Sequence, residues 1–314
     1  MVKREEEKNG RIKITRRGFL KAITATSGIG LLSKAKDALG LEEFTGWPDR
    51  YGVLTDLSLC VGCRSCEEAC NEINNLPPPE VPFEDQTVFE KERRPEPNAW
   101  TVVNRYPNPQ DENRPIFVKK QCMHCDEPAC ASACLVGALK KTPEGAVIYN
   151  EDVCIGCRYC IAACPFYVPA YDYASPLYPK VRKCILCYEK KIKKGELPAC
   201  VEACPMEAMT FGKRKDLIKL AYKKILENPD KYVDHIYGEH EAGGTSWMYI
   251  SPVPFEQLGF VTDIATTPYP EFSRGFLSAV PMVLILWPAL LIGFYMWSSS
   301  REENAEEERR SEHE

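Results

Sequence analysis

For most of the chain, apolar positions come in short runs. Residues 53–59, 116–118 and 147–149 are apolar pieces a few residues long, and each stands just ahead of a cysteine-rich loop. Short runs bounded by turn residues predict strands. Residues 138–141 and 146–149 flank the turn 142–145 and read as a hairpin. Residues 209–212 read as a closing strand, and 100–106 as a further short one. Leu217, Ile218, Leu220, Ala221, Ile225 and Leu226 recur at helical spacing, which predicts an amphipathic helix over 213–229 ending at Pro229. Residues 230–272 show no such period and are expected to pass along the surface. The pattern then changes. FLSAVPMVLILWPALLIGFYMW, residues 276–297, contains no charge. At about 1.5 Å per residue it reaches roughly 33 Å, matching a hydrocarbon core of about 30 Å. Pro281 and Pro288 are tolerated in a spanning helix, and Tyr295 and Trp297 suit the interfacial belt. One C-terminal transmembrane helix is therefore expected over 275–297, followed by a charged tail over 298–314.

The loops between the short elements carry the chemistry. All 16 cysteines fall into four quartets. Cys60, Cys63, Cys66 and Cys70 are spaced C-x2-C-x2-C-x3-C. Cys122, Cys125, Cys130 and Cys134 follow C-x2-C-x4-C-x3-C. Cys154, Cys157, Cys160 and Cys164 repeat the first spacing, with Pro165 after the last. Cys184, Cys187, Cys200 and Cys204 follow C-x2-C-x12-C-x3-C, again with a proline, Pro205. Two-residue gaps let a tight loop wrap three thiolates around one cubane iron–sulfur cluster. The fourth comes three residues later, where the chain turns away toward a second cluster, as in bacterial two-cluster ferredoxins. Disulfides are a poor alternative, because C-x2-C pairs are strained. Zinc ribbons use two C-x2-C pairs, so quartet four alone fits zinc. Quartets one and three do not, because a third cysteine after another two residues is a cluster habit. Four [4Fe-4S] clusters are expected. With the flanking strands, the fold class is α+β: two interleaved bacterial-ferredoxin-like modules over 45–212, with a long insertion over 71–115.

Composition adjusts this picture in two places. A formal charge of −5 and a pI near 5.7 give no sign of a nucleic-acid partner. The 25 prolines against 19 glycines suggest long irregular connections. Pro77-Pro78-Pro79 and a Pro-Asn-Pro mark the insertion, which reads as an arm lying on a partner subunit. At the other end, TRRGFLK (15–21) precedes a mildly apolar run, and the region 1–38 resembles a twin-arginine export signal. That route carries folded proteins already loaded with cofactors. Export would put the body at the periplasmic face of the cytoplasmic membrane, anchored through 276–297.

With the quartets in place, the chain resembles the four-cluster iron–sulfur subunits that accompany molybdopterin oxidoreductases and some membrane hydrogenases, over roughly residues 45–300. KKQCMHC (119–125), DVCIGCRYC (152–160), VPAYDY (168–173), YGEHEAGG (237–244) and VPFEQLG (253–259) are similar to stretches of Hyb-type nickel–iron hydrogenase iron–sulfur subunits. The resemblance implies that quartet one pairs with four, and two with three. One cluster would take Cys60, Cys63, Cys66 and Cys204, and its partner Cys184, Cys187, Cys200 and Cys70. A third would take Cys122, Cys125, Cys130 and Cys164, and the fourth Cys154, Cys157, Cys160 and Cys134. Quartets one and two depart from the family pattern, with Asn71 and Leu135 where the trailing proline stands. The resemblance also implies a non-catalytic role: electron transfer between a catalytic subunit, of a hydrogenase or a molybdopterin enzyme, and a quinone-reactive membrane subunit.

A few other residues invite a role. His124 sits inside quartet two and is read as a hydrogen-bond donor near a cluster, since four thiolates are already supplied. His235 and His240 are read as structural or solvated. Lys180, Arg182, Lys183, Lys190, Lys191, Lys193 and Lys194 surround quartet four as a solvated face, or offset cluster charge or dock a partner. Arg158 and Lys183, next to cysteines, are the first candidates for tuning potentials. No nucleophile–base set, nucleotide loop or open metal site is found.

Overall fold

The computed structural model describes residues 49–174 and 180–311. The twin-arginine stretch at 15–21 lies outside the described residues, as do 312–314 of the tail.

A three-stranded sheet holds the centre. Strand β1 (Tyr51–Asp56) lies between β8 (Met209–Lys213), antiparallel to it, and β9 (Trp247–Ile250), parallel to it. Successive side chains of a strand point to opposite faces, and this sheet buries both. Val53, Trp247, Tyr249 and Met209 face the core that includes Cys66 and Cys200. Leu54, Met248 and Ile250 face Leu217, Ala221 and Ile225 of helix α5 (Arg214–Glu227). Those three positions are four residues apart, so they form one stripe. Burying each side chain of that kind contributes about 1.5–3 kcal/mol.

Strand β9 corrects the surface path expected for 230–272. Trp247, Met248, Tyr249 and Ile250 are all at most 1% exposed. The run is too short, and buried on both faces, so it shows neither helical nor alternating period. Its parallel place beside β1 comes from a crossover that local pattern does not announce.

Two-stranded hairpins surround the sheet. They are β2 (Val102–Tyr106) with β3 (Ile116–Lys120), β4 (Leu139–Lys141) with β5 (Val147–Tyr149), and β6 (Ala170–Asp172) with β7 (Lys180–Arg182). One ten-residue helix, α1 (Ser65–Asn74), and three four-residue helices, α2 (Ala129–Ser132), α3 (Tyr159–Ala162) and α4 (Ala199–Glu202), follow the four cysteine loops.

The insertion 71–115 folds onto its own domain. Phe89 packs on Phe117 with ring centroids 5.2 Å apart. Arg64, 1% exposed, donates from Nη1 to the carbonyls of Pro82 and Asp85 at 2.6 and 3.2 Å. Glu67 on α1 anchors the assembly: it accepts from Arg64 Nη2 at 3.2 Å, from Arg93 Nη2 at 2.5 Å and from the Val103 N–H at 2.6 Å. Removing one partner of a buried ion pair costs about 3–5 kcal/mol, because the other charge is left uncompensated. Glu67→Ala is therefore expected to lower the thermal unfolding temperature markedly, and Glu67→Gln less so. An Ala variant that melts with the parent would refute the anchor.

Helix α6 (Tyr269–Ser311) runs for 43 residues through Pro281 and Pro288. It is the one helix among the described residues long and apolar enough to cross a membrane. Its apolar side chains are exposed, Leu284 and Ile285 at 68% and 69%. At about 1.5 Å per residue it measures roughly 65 Å, so the charged end extends well past an apolar layer of about 30 Å.

Candidate iron–sulfur site

Each cysteine loop is shaped by one backbone feature. The residue two places after the first cysteine has a positive φ in all four quartets: Gly62 (71°), His124 (52°), Gly156 (67°) and Leu186 (58°). That turn puts successive N–H groups on the inside of the loop, the nest geometry found at anion and iron–sulfur sites. At Gly62 the need for glycine is also steric, since a Cβ would sit 2.3 Å from the Phe117 ring. Arg64 and Arg158, which follow the second cysteine of quartets one and three, share the left-handed conformation at 64° and 61°.

After the fourth cysteine the quartets differ. In quartets two, three and four the N–H of the third residue on donates back to the cysteine carbonyl: Gly137 to Cys134, Tyr167 to Cys164 and Glu207 to Cys204. In quartet one, helix α1 instead continues past Cys70 to Asn74. A proline at position 71 would break that helix, which accounts for Asn71. Leu135 leaves the chain without such a constraint and has no structural explanation.

The thiols converge across quartets. One cavity, of about 410 Å3 including space open to solvent, is lined by Cys60, Cys63, Cys66 and Cys204. A second, of about 340 Å3, is lined by Cys70, Cys184, Cys187 and Cys200. The sulfurs that act electrostatically on Cys125 are Cys164, Cys122 and Cys130. Those acting on Cys160 are Cys134, Cys154 and Cys157. All sixteen thiols are free. Among the described residues, no three His, Cys, Asp or Glu side chains gather closely enough for a single metal ion. Sulfurs spread around cavities fit a bulky inorganic group better than a lone zinc, whose Zn–S distances of about 2.3 Å demand a tight tetrahedron.

Charge and hydrogen bonding fit the same group. Burial pushes the thiols of Cys60, Cys160 and Cys164 up to about 11, and those of Cys70 and Cys130 to about 12, with neighbouring sulfurs adding to the rise. Iron must displace these protons, so cluster assembly releases them. His124 is wholly buried, and its Nδ1 accepts from the Val147 N–H at 2.9 Å. The ring hydrogen therefore sits on Nε2, which is buried and has no protein partner. A sulfide or thiolate of a cluster held by quartet two would supply the acceptor it lacks. Burial holds His124 well below the usual histidine range, and Lys183, Lys141 and Lys119 reinforce the shift.

The basic residues divide. Lys183 is buried, and its Nζ donates to the carbonyls of Val147 and of Cys184, the latter at 3.0 Å. Arg158 is exposed, with its guanidinium 5.2 Å over the Tyr171 ring. Lys191 pairs with Glu196 and Glu202, Lys193 with Glu189, and Lys180 and Arg182 with Glu151. Exposed pairs of that kind contribute about 0–1 kcal/mol. Lys190 donates to the Ile73 carbonyl. His235 pairs with Glu241 at 2.8 Å, whose carboxylate raises the histidine's pKa, and His240 is largely exposed.

Sequence reasoning missed Lys119, which lines both cysteine cavities. Its Nζ donates to Gln121 Oε1 at 2.9 Å and lies 4.3 Å over the Trp247 ring. Burial alone lowers its pKa, but Cys200, Cys66 and Cys184 outweigh it and hold the ammonium above the usual lysine range. The signal available was its place two residues before Gln121-Cys122 at the end of an apolar strand.

Residues 59–138 and 114–214 each match a 4Fe-4S dicluster domain. Two such domains and sixteen cysteines define a ferredoxin-type protein with four [4Fe-4S] clusters. A protein of Nitratidesulfovibrio vulgaris is 49% identical over 296 residues, covering 93% of this chain and 79% of that one. Hydrogenase-2 operon protein HybA of Escherichia coli O157:H7 is 38% identical over 276 residues, 78% of this chain and 83% of HybA. The iron–sulfur subunit of nitrate-inducible formate dehydrogenase of Escherichia coli K12 is 32% identical over 206 residues, 63% and 66% of the two chains. The chain belongs to the family of iron–sulfur electron-transfer subunits that HybA and the formate dehydrogenase subunit represent, and its role is electron transfer rather than catalysis.

Proposed function

We propose that the chain relays electrons between a periplasmic nickel–iron hydrogenase and a quinone-reactive membrane subunit, after twin-arginine export and with residues 276–297 as its membrane anchor. The proposed ligand sets are Cys60, Cys63, Cys66 and Cys204; Cys184, Cys187, Cys200 and Cys70; Cys122, Cys125, Cys130 and Cys164; and Cys154, Cys157, Cys160 and Cys134. The observation that carries the reading is the meeting of quartets one and four around two shared cavities. Bound in such sets, cubane clusters supply one-electron exchange.

The chain's own residues support an order. Cys66 interacts electrostatically with Cys200, Cys184 with Cys122, and Cys130 with Cys160, which supports neighbouring sets following one another in the sequence given above; for the third and fourth sets this is by way of Cys130. Cys63 is exposed at one end of that order and Cys157 at the other. Helix α2, from quartet two, contacts α6, and Glu127 interacts with Glu271 and Arg274 at the start of α6. Both contacts support an orientation with the third and fourth sets toward the membrane.

The hydrogenase partner is supported by the relative named for a hydrogenase-2 operon. The formate dehydrogenase relative favours a second reading, with a molybdopterin enzyme as catalytic partner. Purification from detergent-solubilised membranes separates the two. Co-purifying nickel with a hydrogenase large subunit is the expected result. Molybdenum or tungsten in its place would transfer the assignment to the second reading.

A further inference from the structure

We propose that Lys119 is a shared electrostatic control point: one buried positive charge that raises the reduction potential of two clusters at once, those of quartets one and four. The proposal rests on the ligand sets given above. Among the residues lining the two cavities, Lys119 is common to both, beside Cys60, Cys63, Cys66 and Cys204 in one and Cys70, Cys184, Cys187 and Cys200 in the other. It is 3% exposed.

Its position is fixed from three sides. Gln121 Oε1 accepts from Nζ at 2.9 Å, and the Trp247 face lies 4.3 Å away. Gln121 in turn donates to the Tyr249 hydroxyl at 2.6 Å, and that hydroxyl donates to the Lys119 carbonyl at 2.8 Å. Strand β9 therefore clamps both the ammonium and its backbone. A side chain that only balanced charge on a surface would need none of this.

A cluster gains one negative charge on reduction, so a nearby fixed cation favours the reduced form. In an interior of effective dielectric about 20, a unit charge several ångströms away moves such an equilibrium tenfold or more. The effect falls with distance, and the cations acting on Cys130 and Cys125 include Lys183 and Lys141 respectively. The arrangement is crosswise: the lysine ahead of quartet two serves the pair built from quartets one and four. The lysine ahead of quartet four, Lys183, acts on Cys130 and Cys164 of the other pair.

The test is an EPR-monitored redox titration of the intact membrane complex carrying Lys119→Met, Lys119→Gln or Lys119→Arg, with iron analysis of each. In the Met and Gln variants the expected result is a full iron complement, with two of the four couples shifted at least tenfold toward the oxidised form. Tenfold is 59 mV for a one-electron couple. The other two couples stay in place, and Lys119→Arg restores the parent values. Four unchanged couples overturn the proposal, as does movement of only one. An equal shift in the Arg variant overturns it too, because shape rather than charge would then be responsible. Loss of iron from both neutral variants also counts against it, since the charge would then serve assembly. The shifted couples must be those removed by Cys204→Ala and Cys70→Ala. Two shifted couples that those variants leave intact would instead break the ligand assignment.

Discussion

Cys204→Ala is expected to abolish the cluster bounded by Cys60, Cys63 and Cys66, and Cys70→Ala the one bounded by Cys184, Cys187 and Cys200. Each variant should lose about a quarter of its iron and one EPR signal, with the two couples of quartets two and three undisturbed. The reason is geometric. Cys204 follows α4, which turns away from the cavity holding Cys184, Cys187 and Cys200, and its sulfur lines the other cavity instead. Cys70 sits one turn into α1 beyond Cys66, on the side of Cys187 and Cys200. A cubane held by three thiolates lacks its fourth iron ligand, and at Cys70 the lost thiol is also buried, where water is a poor replacement. If each substitution instead removed the signal of its own quartet, the exchange between quartets would be wrong.

The second large effect concerns α6. Removing residues 272–314 is expected to move the chain from the membrane fraction to the soluble one while leaving its iron in place. Transfer of apolar surface out of water is worth about 25 cal/mol per Å2, so a helix with Leu284, Ile285, Leu286 and Trp287 each more than half exposed strongly favours an apolar phase. The cysteine core is independent of it: among the described elements α6 touches α2 and adds no residue to the buried clusters. Fractionation by ultracentrifugation with iron analysis decides the matter. A truncated chain that still sediments with membranes would mean that a partner, not α6, holds it there.

Much of this architecture is legible in the residues. Cysteine spacing identifies the chemistry because three thiolates on one tight loop have few other uses. The hairpin at 138–149 and the helix Arg214–Glu227 follow from turn residues and from a four-residue stripe, both local properties. What local pattern cannot carry is long-range placement. Trp247–Ile250 is a four-residue run, and its fit beside β1 depends on contacts some two hundred residues apart. The strands Ala170–Asp172 and Lys180–Arg182 are three residues each, too short to show a period. Lys119 is the clearest case at the site. A charged residue in a strand ordinarily signals the wet face. Here the strand's wet face is turned onto sulfurs and an indole, so the usual reading inverts. The meeting of quartet one with quartet four likewise came from family resemblance, since spacing allows other partners.

Strand β9 is the last piece of the central sheet to be synthesised, and it lies against the middle of a sheet begun near residue 51. Until the ribosome has passed residue 250 the indole of Trp247 is missing and the sulfurs behind it have no roof. The cavity of Cys70, Cys184, Cys187 and Cys200 thus gains one of its walls, Trp247, only when that late strand has been made.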